Sequence, residues 1–297
     1  MLTYVDYIVL ALALLISASI GIYYRRQDNS NDYLLASGTM SPLPVAFSLM
    51  ASFMSAITLL GVTNENFAFG TQFIVINIAY AIGTPIAAYV YLPVFFRMKS
   101  PSAYGYLEKR FGIATRIAAS LAFSLQMILY MGIVLYAPAL ALSAVTNMSY
   151  LGSILSVGLV CTFYSALGGI KAVLITDVFQ SLLMFLGIGS VVFGGTYMVG
   201  GVSQVFNLAQ DRLEFFNMTT DPTVRHTFWT QSVGGLFIFL SIYAVNQAQV
   251  QRLLATKSIK SAQIALWLQW PILAALSCIT SFAGLVIYAY YKGMYIL

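Results

Sequence analysis

The stretch from Thr227 to Gln251 runs for 25 residues without a formally charged side chain. About 20 consecutive apolar residues cross the hydrocarbon core of a bilayer as a helix, and a longer run allows for tilt. The stretch ends in a polar cluster, and Arg252 and Lys257 follow at once. Because basic residues collect on the cytoplasmic side of membrane helices, the sequence predicts a membrane span that leaves the bilayer there.

The composition supports the same interpretation for the whole chain. Only 8% of the 297 residues are charged and 60% are hydrophobic, whereas a soluble domain carries about 25% charge. The net charge of +5 is therefore read as a topology signal and not as a nucleic-acid surface. Cys161 and Cys278 lie far apart in apolar segments, which predicts neither a disulfide framework nor a metal motif. No cofactor is expected.

Eight segments are long and apolar enough to cross a bilayer, and none carries a formal charge at its middle. We therefore predict an all-α polytopic membrane protein with a single transmembrane domain over residues 1–297. The predicted spans are 4–24, 44–64, 72–96, 117–144, 151–168, 175–200, 227–251 and 263–291.

The distribution of Lys and Arg predicts the orientation. With the N-terminus outside, eleven of the fourteen basic residues fall on the cytoplasmic side. The two glycosylation sequons, which begin at Asn147 and Asn217, then both lie outside. The sequence thus predicts a glycosylated plasma-membrane protein with an extracellular N-terminus.

Small and hydroxyl residues dominate the second predicted span between Ser48 and Gly61. Small residues let helices pack closely in lipid, which is one interpretation. The other is a broken helix whose unwound carbonyls bind a cation, since irregular backbone at membrane depth must line a cavity or lie within protein.

The turn between the fifth and sixth predicted spans contains Gly168 and Gly169, which permit a tight reversal. Lys171 is interpreted as a cytoplasmic anchor. Asp177 is interpreted as an acid that complements the start of the next helix. These are structural roles.

The residue types also bear on the class of function. An intramembrane enzyme would show acids, bases or metal ligands within its spans, and a proton-coupled transporter would show a titratable group there. None is visible at mid-depth, which predicts that the chain is not an enzyme and favours a cation held by neutral oxygens, namely sodium. A channel stays open as an alternative, although the sequence shows no selectivity ring.

Several motifs resemble those of the sodium/solute symporter family. The turn Tyr164–Gln180 resembles one family signature, and Val250-Gln251-Arg252 with Lys257 resembles another. Four further stretches resemble the branch of sodium-coupled monocarboxylate and multivitamin transporters, namely Ala51–Ala56, Tyr136–Leu142, Arg225–Thr230 and Ser241-Ile242-Tyr243.

This resemblance implies a lead helix followed by two inverted five-helix repeats. Residues 4–24 would be the lead helix, 44–200 the first repeat, and 227–291 the first two helices of a second repeat whose remainder is absent. The chain is accordingly expected to be a truncated or partial form. The backbone carbonyls of Ala51 and Met54 are the implied sodium ligands.

The family also implies a substrate cavity between the two broken helices. The lining expected on the second span is Ser52, Phe53, Ser55 and Thr58, and on the seventh span it is Tyr243, Asn246 and Gln247. Ordinary packing or hydrogen bonding to neighbouring helices is the alternative role for each.

The implied activity is sodium-coupled symport of a small organic anion, a monocarboxylate or vitamin carboxylate, by alternating access. A symporter of another organic solute (sugar, myo-inositol, iodide or choline), a proton-coupled transporter and a channel are the alternatives. Sodium, the anion and the lipid bilayer are the expected partners, and nucleic acid is not. No Arg or Lys is expected in the cavity, so sodium and helix dipoles would balance the charge of the anion.

Two residues outside the cavity also have a predicted role. A role in an outer vestibule is open for Glu65, and His226 is interpreted as a lone histidine in a loop.

Overall fold

The computed structural model describes residues 3–98, 100, 102–146 and 148–296 of the chain. Its regular elements within these residues are helices, and the longest of them are apolar. In chain order they are α1 (Tyr4–Tyr23), α2 (Ser30–Leu35), α3 (Pro42–Phe53), α4 (Ala56–Phe69), α5 (Ile76–Ile86), α6 (Leu92–Met98), α7 (Gly105–Phe111), α8 (Ile113–Val145), α9 (Tyr150–Val199), α10 (Val202–Leu208), α11 (Gly235–Val245), α12 (Gln247–Leu254) and α13 (Ile259–Ile296).

Five of the described helices are long and apolar enough to cross a membrane: α1, the continuous helix Thr71–Met98 that contains α5 and α6, α8, α9 and α13. Two bent helix pairs raise this number to seven. The fold class predicted from the sequence, an all-helical membrane protein, is confirmed. The count of eight spans and the assignment of repeats stay predictions.

The backbone of α9 breaks at Gly169, which has φ 58° and ψ −157°. A straight helix of 50 residues would be about 75 Å long, whereas the hydrocarbon core is about 30 Å thick. The break divides α9 into two arms and lies in the Gly-Gly turn where the sequence predicts a reversal. A side chain would not fit, because a Cβ on Gly169 would lie 2.7 Å from the Tyr33 carbonyl oxygen.

Two bent pairs of helices set the position of the site. The first bent pair is α3 and α4, which meet at 59°, and the second bent pair is Thr230–Val245 (containing α11) and α12, which meet at 62°. The first bend lies at Met54 and Ser55, so the second predicted span is broken, as one of its two interpretations required.

The core lies where α13 packs against both arms of the first bent pair. Gly284 allows this contact, since a Cβ there would lie 2.4 Å from the Thr63 carbonyl oxygen. Phe239 and Tyr243 of α11 are fully buried in the same core with Leu266 of α13. Close packing of this kind replaces the hydrophobic driving force that lipid does not supply.

Lys171 does more than anchor the chain in water. Its Nζ lies 2.7 Å from the Asp32 carboxylate of α2, so the link between α1 and α3 is held against α9. The Lys171 ammonium lowers the pKa of Asp32, with a smaller contribution from the Ser37 hydroxyl.

Candidate functional site

The first bend leaves backbone groups without helical partners. The Ser55 Oγ caps α4 by accepting from the Thr58 amide, and the Thr58 hydroxyl donates to the Phe53 carbonyl at 2.9 Å. Among the residues that the structure describes, none donates a hydrogen bond to the carbonyl of Ala51 or of Met54. These two oxygens, which the sequence predicts as sodium ligands, are therefore available to a cation.

At the second bend more of the backbone groups have hydrogen-bond partners. Asn246 sits between the two arms, and its side-chain oxygen accepts from the Ala248 amide at 3.0 Å. Its carbonyl accepts from Gln249 and Val250 at 3.2 and 3.1 Å. The neighbouring Val245 carbonyl accepts from the Tyr104 hydroxyl at 2.9 Å.

A cavity of about 470 Å³ lies between the two bends. Four of the predicted substrate residues line it, namely Ser52, Phe53, Ser55 and Asn246, together with Ala51. The opposite wall comes from α8 through Gln126, Met127, Tyr130, Met131 and Val134. The structure therefore brings both bends onto one cavity.

Three predicted substrate residues do not line this cavity. The Thr58 hydroxyl is held by the Phe53 carbonyl. The Tyr243 hydroxyl donates to Gln269, and its ring stacks on Phe53 with 5.9 Å between centroids. The Gln247 side-chain oxygen accepts from the Ala103 amide at 2.7 Å. Their expected contact with substrate stays a prediction, and in this arrangement they support the walls.

Arg252 lines the same cavity, contrary to the expectation that no basic side chain does. Its Nε donates to Ser48 Oγ at 2.7 Å, its Nη1 to the Ala248 carbonyl at 3.1 Å, and its Nη2 lies 3.6 Å from Asp177 Oδ2. The Ser48 hydroxyl donates to the same carboxylate. Arg252 is thus not a simple marker of the membrane edge.

The interpretation of Asp177 as an acid at a helix start is also wrong. The arm of α9 begins after Gly169, so Asp177 lies about two turns inside the helix, where the dipole no longer acts strongly. Its side chain is only 13% exposed and that of Arg252 only 15%. The ion pair joins α3, α9 and α12 beneath the cavity, through partners that lie 75 residues or more apart in sequence.

Glu65 and His226 form a second cluster at the other end of the first bent pair. The Glu65 carboxylate accepts from Arg225 Nε at 2.5 Å and lies 2.6 Å from His226 Nε2. Gln231 Nε2 lies 2.6 Å from His226 Nδ1. The histidine is therefore not a lone loop residue, and the cluster ties α4 to the segment that enters α11.

The remaining predictions concern glycosylation and metals. Asn217 lies in the segment between α10 and α11, where its carbonyl accepts from Phe228 at 2.7 Å. Asn147 lies outside the described residues. Within those residues no group of three or more His, Cys, Asp or Glu could hold a metal ion.

Comparison of the sequence with known proteins gives three findings. Residues 33–293 match the Sodium:solute symporter family. A putative sodium-dependent multivitamin transporter of Drosophila melanogaster is 56% identical over 293 residues, which is 97% of this chain and 48% of that protein. The sodium-coupled monocarboxylate transporter 1 of Homo sapiens is 46% identical over 292 residues, which is 96% of this chain and 48% of that protein.

A solved structure shows the same fold. It is the substrate-bound outward-open state of a sodium-coupled sialic acid symporter, with a TM-score of 0.94 and 29% identity, and the match covers 99% of this chain and 63% of that one. The chain spans about half the length of the curated relatives that it matches.

Proposed function

The chain belongs to the sodium:solute symporter family, and from this premise we propose that it serves sodium-coupled symport of small organic anions, monocarboxylates or vitamin carboxylates, by alternating access. The observation that carries the proposal is the cavity of about 470 Å³ bounded by both bent pairs. Broken helices that face each other across a cavity place free backbone dipoles where an ion and a solute can bind together. The family resemblance stated from the sequence motifs is confirmed by these matches.

Sodium is a substrate in this proposal and binds at the first bend. The carbonyl oxygens of Ala51 and Met54 are hard neutral ligands without a described hydrogen-bond donor. At membrane depth an unsatisfied carbonyl costs several kcal/mol, so a cation that accepts both oxygens as ligands stabilises the bent arrangement. Sodium binding thereby couples to the shape of the cavity next to it.

The organic anion binds beside sodium, against Ser52, Ser55 and Asn246. The N-terminal ends of α4 and α12 lie at this cavity, and each carries partial positive charge. Arg252 adds a guanidinium to the wall, although Asp177 already pairs with it. Charge balance for the anion therefore comes from sodium and the two helix ends, while Arg252 can contribute hydrogen-bond donors to the wall.

We place the protein in the plasma membrane with its N-terminus outside, in line with the bias of basic residues. The curated relatives named above transport vitamins or monocarboxylates according to their names. This favours small carboxylates over sugars, iodide or choline.

The test is uptake of radiolabelled propionate and biotin by cells that express the natural gene product. Uptake should require sodium and should persist when external pH is clamped. Ser52→Ala should raise the propionate concentration needed for half-maximal uptake, because Ser52 lines the cavity proposed for the anion. Ser19→Ala is the matched control, because Ser19 also bonds its own helix, Oγ to the Leu15 carbonyl at 2.7 Å, but faces outward on α1. Equal uptake in sodium and choline buffers would refute the proposal.

A further inference from the structure

The link between α6 and α7 contacts both arms of the second bent pair. The Ala103 amide donates to the Gln247 side chain at 2.7 Å, and Gln247 is the first residue of α12. The Tyr104 hydroxyl donates to the Val245 carbonyl at 2.9 Å, and Val245 is the last residue of α11. Two consecutive link residues thus hold the two sides of the bend at Asn246.

Ala103 and Tyr104 are themselves packed into the protein. Ala103 is 7% exposed and Tyr104 is 9% exposed. The Tyr104 ring packs on Phe123 of α8 with 5.8 Å between centroids. Its amide donates to Ser102 Oγ at 3.2 Å, and Ala103 packs with Phe95 of α6 and Val250 of α12. The Tyr104 ring therefore connects the second bent pair to α8, an element outside that pair.

The two bends differ in the hydrogen-bond donors that their backbone carbonyl oxygens have. At the first bend the Ala51 and Met54 oxygens have no described donor, whereas at the second bend a tyrosine from another element supplies one to Val245. A hydrogen bond that crosses a hinge favours one hinge angle. Any change of the angle between α11 and α12 must therefore break one of the two link contacts or carry the link with it.

We propose that Tyr104 is a positioning residue for the transport cycle. Its hydroxyl holds the bend at Asn246 in the arrangement seen here. This hydroxyl must release the Val245 carbonyl before the cavity opens to the other side of the membrane. This inference rests on the proposed function for the meaning of the cycle. Tyr104 acts through Val245 and is not assigned any contact with sodium or the anion.

The test uses the natural gene product with both native cysteines of this chain replaced, Cys161→Ser and Cys278→Ser, and Ala244→Cys as a reporter next to the bend. A membrane-impermeant thiol reagent is applied to inside-out vesicles. Tyr104→Phe keeps the ring on Phe123 and removes only the hydroxyl. It should increase the rate of reporter labelling about fivefold, the population shift expected from one lost hydrogen bond of ordinary strength.

Tyr106→Phe is the matched control. Tyr106 lies two residues away, and its hydroxyl accepts from Arg110 on the same helix, α7, at 2.5 Å. The labelling rate should not change. A second arm replaces Tyr104 by 3-fluorotyrosine, whose more acidic hydroxyl is a stronger donor of the same shape, and labelling should become slower than in the parent.

Equal rates of reporter labelling in the Tyr104→Phe and Tyr106→Phe proteins would overturn the proposal. A rate in the 3-fluorotyrosine protein at or above that of the parent would also overturn it. If Tyr104→Phe does not reach the membrane, the fluorotyrosine arm alone decides. Sodium-dependent uptake by the parent is measured in parallel. Its absence would refute the proposed function, while the labelling difference would still decide whether Tyr104 holds the bend.

Discussion

The ion pair between Asp177 and Arg252 gives the sharpest prediction of stability. The charged atoms lie 3.6 Å apart, and both side chains are largely buried. At an effective dielectric constant of about 20 this separation corresponds to an attraction of about 5 kcal/mol before desolvation. Removal of one partner leaves the other charge buried without compensation, which costs about 3–5 kcal/mol. We therefore expect Asp177→Asn and Arg252→Gln each to lower the free energy of unfolding by about 3 kcal/mol.

The double variant separates the pair from the individual residues. Because the second substitution removes the stranded charge, the double variant should lose much less than the sum of the two single losses, with an interaction energy of about 2–3 kcal/mol. The measurement is reversible unfolding of the natural gene product by dodecyl sulfate in mixed micelles, followed by tryptophan fluorescence.

Glu108 and Arg116 provide the control cycle. Their charged atoms are closer, at 2.5 Å, but the side chains are 37% and 42% exposed. Water screens such a pair, so its interaction energy should stay below about 1 kcal/mol. If the buried pair showed an interaction energy no larger than the exposed pair, the argument from burial would be refuted.

Three other features each predict the result of one measurement. Gly169 has a positive φ and no room for a Cβ, so Gly169→Ala should lower the free energy of unfolding by about 1–3 kcal/mol, measured in the same micelles. The Lys292 ammonium and the Tyr288 hydroxyl lower the pKa of Asp211 to about 2, so its contribution to stability is complete above about pH 4. That contribution is lost as the pH falls towards 2, and the melting temperature of Asp211→Asn should vary less over this interval. Asn217→Gln should remove one glycan from the protein expressed in eukaryotic cells, seen as a shift in gel mobility that glycosidase treatment of the parent reproduces.

The sequence predicts the helical membrane fold because the signal is local. A charge-free stretch such as Thr227–Gln251 must find apolar surroundings wherever it lies, and Gly169 marks a reversal through its own backbone freedom. The small residues of Ala51–Ala56 allow either close packing or a bend, and the structure shows the bend. Each of these inferences needs only neighbours in the chain.

The site is only partly predictable for the opposite reason. Asp177 and Arg252 appear in separate motifs, and nothing local shows that Ser48 bridges them. Gln247 has the residue type and position of a cavity ligand, yet the Ala103 amide draws its side chain away. Such outcomes depend on contacts between distant segments, which one sequence does not reveal.

The pairing of Asp177 with Arg252 has an electrical consequence. Movement of one elementary charge across a membrane potential of 100 mV is worth about 2.3 kcal/mol, so a lone carboxylate or guanidinium that moved through part of this field would make the conformation of the protein depend on voltage. The pair carries no net charge, and its displacement as a unit moves no net charge through the field. The two side chains therefore add no net gating charge to this part of the protein as long as they move together.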